Sequence, residues 1–178
     1  MKQVTLVRFA CILLAVLGWG SAQALYDDRP ADALSLAEGA WHGKLTYRDY
    51  SHPDRTETLP TVLYVALGAP GTLVLHYVYD DGPGKTVHSY ESMTFDFGKG
   101  EVTWVTGSSE KEQFVARIVS NARVGDLQKM VFERMTADGK DRYTFDLAAK
   151  AMALQHEEVD TSGAALLRNR HEFTRPGT

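Results

Sequence analysis

Between Trp41 and Phe173 the chain runs as about ten short stretches in which apolar and polar residues alternate, separated by Gly, Pro, Asp and Asn. A period of two sends successive side chains to opposite faces, so each stretch is predicted as a strand that buries one side. Trp41, Leu45 and Tyr47 share the first such face. Leu73, Leu75, Tyr77 and Tyr79 share another, as do Met93, Phe95 and Phe97. Gly68-Ala69-Pro70-Gly71, Asp80-Asp81-Gly82-Pro83-Gly84 and Asp138-Gly139 are strong turn signals between them. Ten strands joined in order by short turns curl and close, because closure removes the two unpaired edges. The expected fold is therefore all-β: a single antiparallel up-and-down barrel of about ten strands, with a short N-terminal helix. A two-layer sandwich built from the same strands is the alternative.

The predicted strands cover residues 41–48, 58–67, 72–79, 86–97, 101–106, 111–120, 127–136, 142–147, 151–159 and 165–173. The stretch from Ala148 to Leu154 also suits a helical turn, since Ala, Lys and Met favour one. Ahead of the strands, Ala31 to Glu38 reads as a short helix across a barrel end, with Pro30 in its first turn and Gly39 closing it.

Residues 1–24 have a different character. Lys2 and Arg8 lead into an apolar run from Phe9 to Leu17, and Ala22-Gln23-Ala24 has small residues where a signal peptidase reads. The run falls short of the roughly 20 residues that span a bilayer. The expected organisation is a secretory leader at 1–24, a segment with a short helix at 25–38, and a barrel domain at 39–178. Cleavage would remove two cations and no acid, taking the formal net charge from −4 to −6, and would also remove Cys11, the only cysteine. An acidic chain with no Lys/Arg run is a poor ligand for nucleic acid or anionic lipid, and without thiols it is held by packing alone. The expected location is the bacterial periplasm or the extracellular space. Neither nucleic-acid binding nor stable membrane insertion is expected.

A short helix, Gly39-Ala40-Trp41 opening the first strand and Arg168 and Arg170 in the last together resemble the lipocalin and fatty-acid-binding (calycin) superfamily, in the form of a bacterial exported protein with such a barrel. The resemblance implies that a Gly-x-Trp tryptophan and a late arginine meet at the closed end, with the guanidinium against the indole. Trp41, Arg168 and Arg170 are the residues it nominates for closure. It also implies a lumen that holds a small molecule. The Arg-x-Tyr pair with which fatty-acid-binding proteins hold a carboxylate is here Arg168-Asn169-Arg170.

In a meander alternate loops gather at one end. Those near residues 49–57, 80–86, 107–111, 137–141 and 159–164 fall together and carry many acids, so they are expected to rim an open mouth. Inward positions then nominate Tyr47, Tyr77, Tyr79, Glu91, Met93, Phe95, Trp104, Phe114, Phe132, Arg134, Tyr143 and His156 for ligand contact. An apolar floor below tyrosine hydroxyls and one cation suits a small amphipathic or apolar molecule, its tail down and its polar head against Arg134. The same aromatic residues could instead fill the barrel, leaving a ligand-free adaptor for an envelope protein partner. Arg134 could equally point outward, since a one-residue slip flips a strand.

No catalytic motif is present, so an enzyme is not expected. Gly82-Pro83-Gly84-Lys85-Thr86 lacks the spacing of a phosphate loop, and no serine has a Gly-x-Ser-x-Gly setting. No metal or cofactor is expected either. His76 and His88 are placed to face each other as a surface pair. His156 is the histidine best placed for a haem iron, which with a barrel enzyme makes the third reading.

Overall fold

The computed structural model of the protein describes residues 33–49, 51–52, 54–107 and 111–177. A short 3-10 turn, Ser35–Ala37, precedes ten strands: β1 (Gly39–Arg48), β2 (Thr56–Leu67), β3 (Thr72–Asp80), β4 (Thr86–Asp96), β5 (Glu101–Thr106), β6 (Glu112–Val124), β7 (Leu127–Thr136), β8 (Gly139–Leu147), β9 (Ala151–Asp160) and β10 (Ala165–Thr174). Each pairs antiparallel with the next, and β10 pairs back onto β1 from His42↔Thr174 to Tyr47↔Asn169. The sheet is therefore a closed ten-stranded up-and-down barrel, and the sandwich alternative is excluded.

Most departures from the expected boundaries have a local cause. Of the predicted helix, Ala33 and Leu34 are helical and Ser35–Ala37 form a 3-10 turn; residues 31–32 and the leader at 1–24 lie outside the described residues. β6 runs on to Val124, because Gly125 and Asp126 alone make the turn and Val124 pairs with Leu127. An irregularity between Ile118 and Ser120 absorbs Val119 as an extra residue on the way. β8 starts at Gly139, opposite Thr136, so Ala137 and Asp138 suffice for that turn and Asp141 joins the ladder. Ala151–Asp160 is a strand throughout. Pairing of Met152 with Leu147 and Phe173 buries it, which outweighs the helical preference of its alanines.

The lower half of the barrel is solid. Trp41, Leu63, Leu73, Met93, Val102, Met130, Phe132 and Leu147 are each under 2% exposed, and Phe95 packs edge-on to Phe132 at 6.4 Å between ring centres. Side chains this inaccessible to a water-sized probe leave no void beside them.

The bottom is sealed by the segment before β1. Leu34 and Ala37 are buried under the barrel, and the Trp41 indole Nε1 donates to the Ala37 carbonyl at 2.7 Å. Over the indole lies the guanidinium of Arg175, 4.2 Å from the ring centre. Arg175 also donates to the carbonyls of Leu36 (2.5 Å), Glu38 (3.0 Å) and Ala149 (2.7 Å), tying three chain segments together. The closing cation is thus Arg175, and the expectation of Arg168 or Arg170 is corrected. β10 descends from the mouth, so Arg168 sits seven residues, or ~23 Å, above Arg175. Arg168 is the extra residue at a bulge and pairs with Glu158 (2.7 Å); Arg170 faces outward onto Gln155 and Glu172.

Two glycines make this end possible. Gly39 has φ +118°, and a Cβ there would lie 3.0 Å from Arg175 Nη1. A Cβ on Gly43 would lie 1.8 Å from the Glu172 carbonyl oxygen and 2.8 Å from the Phe173 ring, so only glycine lets β1 and β10 approach this closely.

Candidate functional site

Above the solid half the lumen opens into a cavity of about 330 Å³, near the lower end of the ~300–1,000 Å³ typical of ligand pockets. Its walls are Tyr77, Glu91, Trp104, Thr106, Glu112, Phe114, Arg134, Tyr143, Leu154, His156, Asn169 and His171. Where a strand contributes two residues they are alternate ones: Trp104 and Thr106 on β5, Glu112 and Phe114 on β6, Leu154 and His156 on β9, Asn169 and His171 on β10.

One wall is an ionic network. Arg134 lies opposite Asp141 in the β7–β8 ladder, and both turn inward. Its Nε and Nη2 donate to Asp141 Oδ2 at 2.9 and 2.6 Å, its Nη1 donates to Glu112 Oε1 at 2.7 Å, and its plane lies 4.2 Å above the Phe114 ring centre. His156 Nε2 is 3.1 Å from the other Asp141 oxygen, and its ring stacks on Tyr143 at 4.6 Å. Burial acts against the Asp141 carboxylate, but the hydrogen bonds and charges of His156 and Arg134 outweigh it and hold the group below its ordinary range.

The other wall is aromatic, with one carboxylate. Glu91 accepts from Ser89 Oγ (3.1 Å) and from the Trp104 indole Nε1 (2.9 Å), both neutral donors. Burial raises its pKa, only partly offset by those two bonds. Tyr77 and Tyr79 stack at 5.8 Å, and burial together with the Glu91 charge pushes both hydroxyls well above their ordinary value, so they stay protonated. His171 lies 4.9 Å from Tyr77 ring to ring, with Nε2 3.2 Å from the Tyr79 hydroxyl. Burial lowers its pKa to about 4, so it is neutral at pH 7. Its Nδ1 is buried without a hydrogen-bond partner among the described residues.

Of the residues nominated from sequence, Tyr77, Glu91, Trp104, Phe114, Arg134, Tyr143 and His156 meet at this cavity. Tyr47 and Tyr79 lie on inward positions outside its wall. Met93, Phe95 and Phe132 belong to the solid floor, where no tail could lie beneath a head group. Arg134 does point inward, but its donors are engaged by Asp141 and Glu112. Thr106, Glu112, Leu154, Asn169 and His171 were not nominated. Glu112 and His171 do carry a signal, each two residues from an aromatic of an alternating strand, Phe114 and Phe173, and Asn169 is the next alternate position after His171.

Outside the barrel, His76 Nε2 and His88 Nδ1 lie 3.0 Å apart, with Tyr90 stacked on His76 at 4.3 Å. No group of three or more metal-ligating side chains occurs among the described residues. A larger groove of about 670 Å³ follows the outer β1–β10 seam, but several of its polar side chains already bond one another: Lys44 and Arg170 both reach Glu172.

No family model and no curated protein matches the chain. Among solved structures it is similar to the crystal structure of Rv2717c from M. tuberculosis, with a TM-score of 0.60 at 14% identity, over 82% of this chain and 97% of that one. At that identity the likeness shows the fold alone, a closed antiparallel barrel, here of ten strands.

Proposed function

We propose that this protein is an exported barrel that takes a small molecule into its upper lumen and holds it without changing it. The observation that supports this reading is the cavity itself: 330 Å³ of space, roughly eleven water volumes, above a floor with none. Aromatic faces and a few convergent polar groups are the usual lining of a ligand site. Export rests on the leader composition, and places the ligand in the bacterial envelope or outside it.

Compared with the ligand expected from sequence, the cavity favours one that is shorter and less lipid-like. Volume limits it to a compact molecule, and the floor admits no extended tail. The test is binding of a small neutral aromatic probe, benzyl alcohol, followed by ligand-observed NMR. Saturable binding that disappears in a folded Leu154→Trp variant, whose added bulk fills the cavity, is the expected result. Absence of saturable binding by neutral, cationic and anionic probes alike would refute it. A role as an envelope adaptor would then gain from the exterior, where Tyr64 and Tyr90 are 50% and 55% exposed and flank His76.

A further inference from the structure

We infer that the lumen selects a cation: its ligand is a small amine, ideally carrying an aromatic or compact apolar body, with Glu91 as the counter-charge. This deepens the ligand-binding reading and rests on it.

Among the described residues the cavity wall is rich in acid. Three carboxylates line or adjoin it (Glu91, Glu112 and Asp141), against one permanent cation, Arg134. The charge of that cation is already shared between two carboxylates. Two of its nitrogens are on Asp141, a third is on Glu112, and its face is covered by Phe114. Two acids share the arginine, and one of them, Asp141, also bonds His156; Glu91 has no charged partner among the described residues. Its bonds to Ser89 and Trp104 come from neutral groups and leave each carboxylate oxygen with a further lone pair. A desolvated carboxylate without a cation is a costly arrangement, and an incoming ammonium relieves it.

The neighbouring groups suit the same guest. A primary ammonium has three donors and no acceptor. The wall offers it the oxygens of Glu91, whose charge acts on the neighbouring Tyr77 hydroxyl. His171, packed on the Tyr77 ring and held neutral by burial, adds no competing positive charge. Tyr77, Trp104, Phe114 and Tyr143 supply π-faces, which attract a cation and pack an apolar body equally well. A carboxylate guest would instead meet a net negative wall and an arginine already bound. This reverses the polarity expected from sequence, where Arg134 was to hold an anionic head.

The test uses three probes of nearly one shape: benzylamine, benzyl alcohol and benzoate, titrated by calorimetry or NMR into the folded protein and into Glu91→Gln. The expected order is amine tightest by about tenfold over the alcohol, with benzoate weakest. In Glu91→Gln, which keeps the side-chain shape, the amine should fall to the level of the alcohol while the alcohol is unchanged. Equal binding of all three, or an amine preference that survives intact in folded Glu91→Gln, overturns the amine assignment and leaves the cavity reading standing. Failure of all three to bind removes both.

Discussion

Arg175 offers the sharpest test of how this barrel is closed. Arg175→Ala removes a guanidinium 4.2 Å above the Trp41 ring centre together with its bonds to the Leu36, Glu38 and Ala149 carbonyls. The π-contact is worth about 0.5–2 kcal/mol. Charge-assisted bonds reach about 1.5–3 kcal/mol each when buried, but only the Leu36 bond is partly buried, and water replaces much of the other two. A total near 2–4 kcal/mol follows. At roughly 2–4 °C per kcal/mol for a domain of this size, the melting temperature should drop by about 4–16 °C. Arg175→Lys keeps the charge but not the planar fork that spans three carbonyls, so it should fall between the two. Arg168→Ala and Arg170→Ala, which break half-exposed ion pairs, should cost about 0–1 kcal/mol. Urea unfolding of all four variants decides the matter. An Arg175→Ala loss within about 0.5 kcal/mol of zero, or an Arg170→Ala loss of equal size, would show that the closing contact has been misassigned.

Four further outcomes follow from the same geometry. Gly43→Ala should cost at least about 3 kcal/mol or prevent folding, because its Cβ meets the Glu172 backbone oxygen at 1.8 Å; a melting temperature near that of the parent chain would refute the close approach. Arg134→Ala leaves the 5%-exposed Asp141 with only His156, and should cost about 2–4 kcal/mol in urea unfolding while leaving benzoate affinity unimproved; a loss too small to resolve would mean the ionic wall is not formed. His171 is held neutral by burial, with a folded pKa of about 4 against 6.5 unfolded, so its contribution is intact above pH 6.5 and lost progressively down to about pH 4. His171→Phe should remove that part of the acid slope measured by thermal melts across this range. Glu91 has the opposite sign: its raised pKa makes the folded state favour the protonated acid, so stability falls as pH rises through that value, and Glu91→Gln should flatten this step and be no less stable at neutral pH. Amine affinity should rise over the same interval. The other titratable groups of the cavity wall are Tyr77 on β3, Glu112 on β6, Arg134 on β7, Tyr143 on β8, His156 on β9 and His171 on β10, with Tyr79 and Asp141 beside them; a rise that persists in Glu91→Gln would assign the titration to one of them.

The architecture was legible because it rests on a repeated, local signal. Leu73, Leu75 and Tyr77, or Tyr143, Phe145 and Leu147, alternate so regularly that a half-buried strand is the one element that buries them. Turn chemistry then ordered the strands, and closure followed from the edges. Boundaries were less legible where a strand's own residues are polar. Gly139, Lys140 and Asp141 look like loop by composition. They join β8 because Arg134 across the ladder gives Asp141 a partner, a reason visible only once the register is known.

The site shows the same division in sharper form. Local alternation correctly turned Glu91, Phe114 and Tyr143 inward, yet the choice of closing arginine ignored it and followed the family resemblance instead. In the run Arg168-Asn169-Arg170-His171-Glu172-Phe173, the buried Phe173 sets the phase: His171 and Asn169 share its face, and Arg170 and Glu172 cannot. Height along the strand carries the rest of the correction, since only a residue just past Thr174 reaches the level of Trp41. The chemical character of the cavity could not be read this way at all. Whether an inward arginine is free to bind an anion depends on which acids stand beside it. Arg134 and Asp141 are seven residues apart, Arg134 and Glu112 twenty-two, and Glu91 comes no closer than twenty-one in sequence to any residue of that network. Barrel closure puts these groups around one space and leaves one acid out of the pairing. That carboxylate, without a cation beside it among the described residues, is why the proposed guest is an amine held by Glu91 and not a polar head held by Arg134.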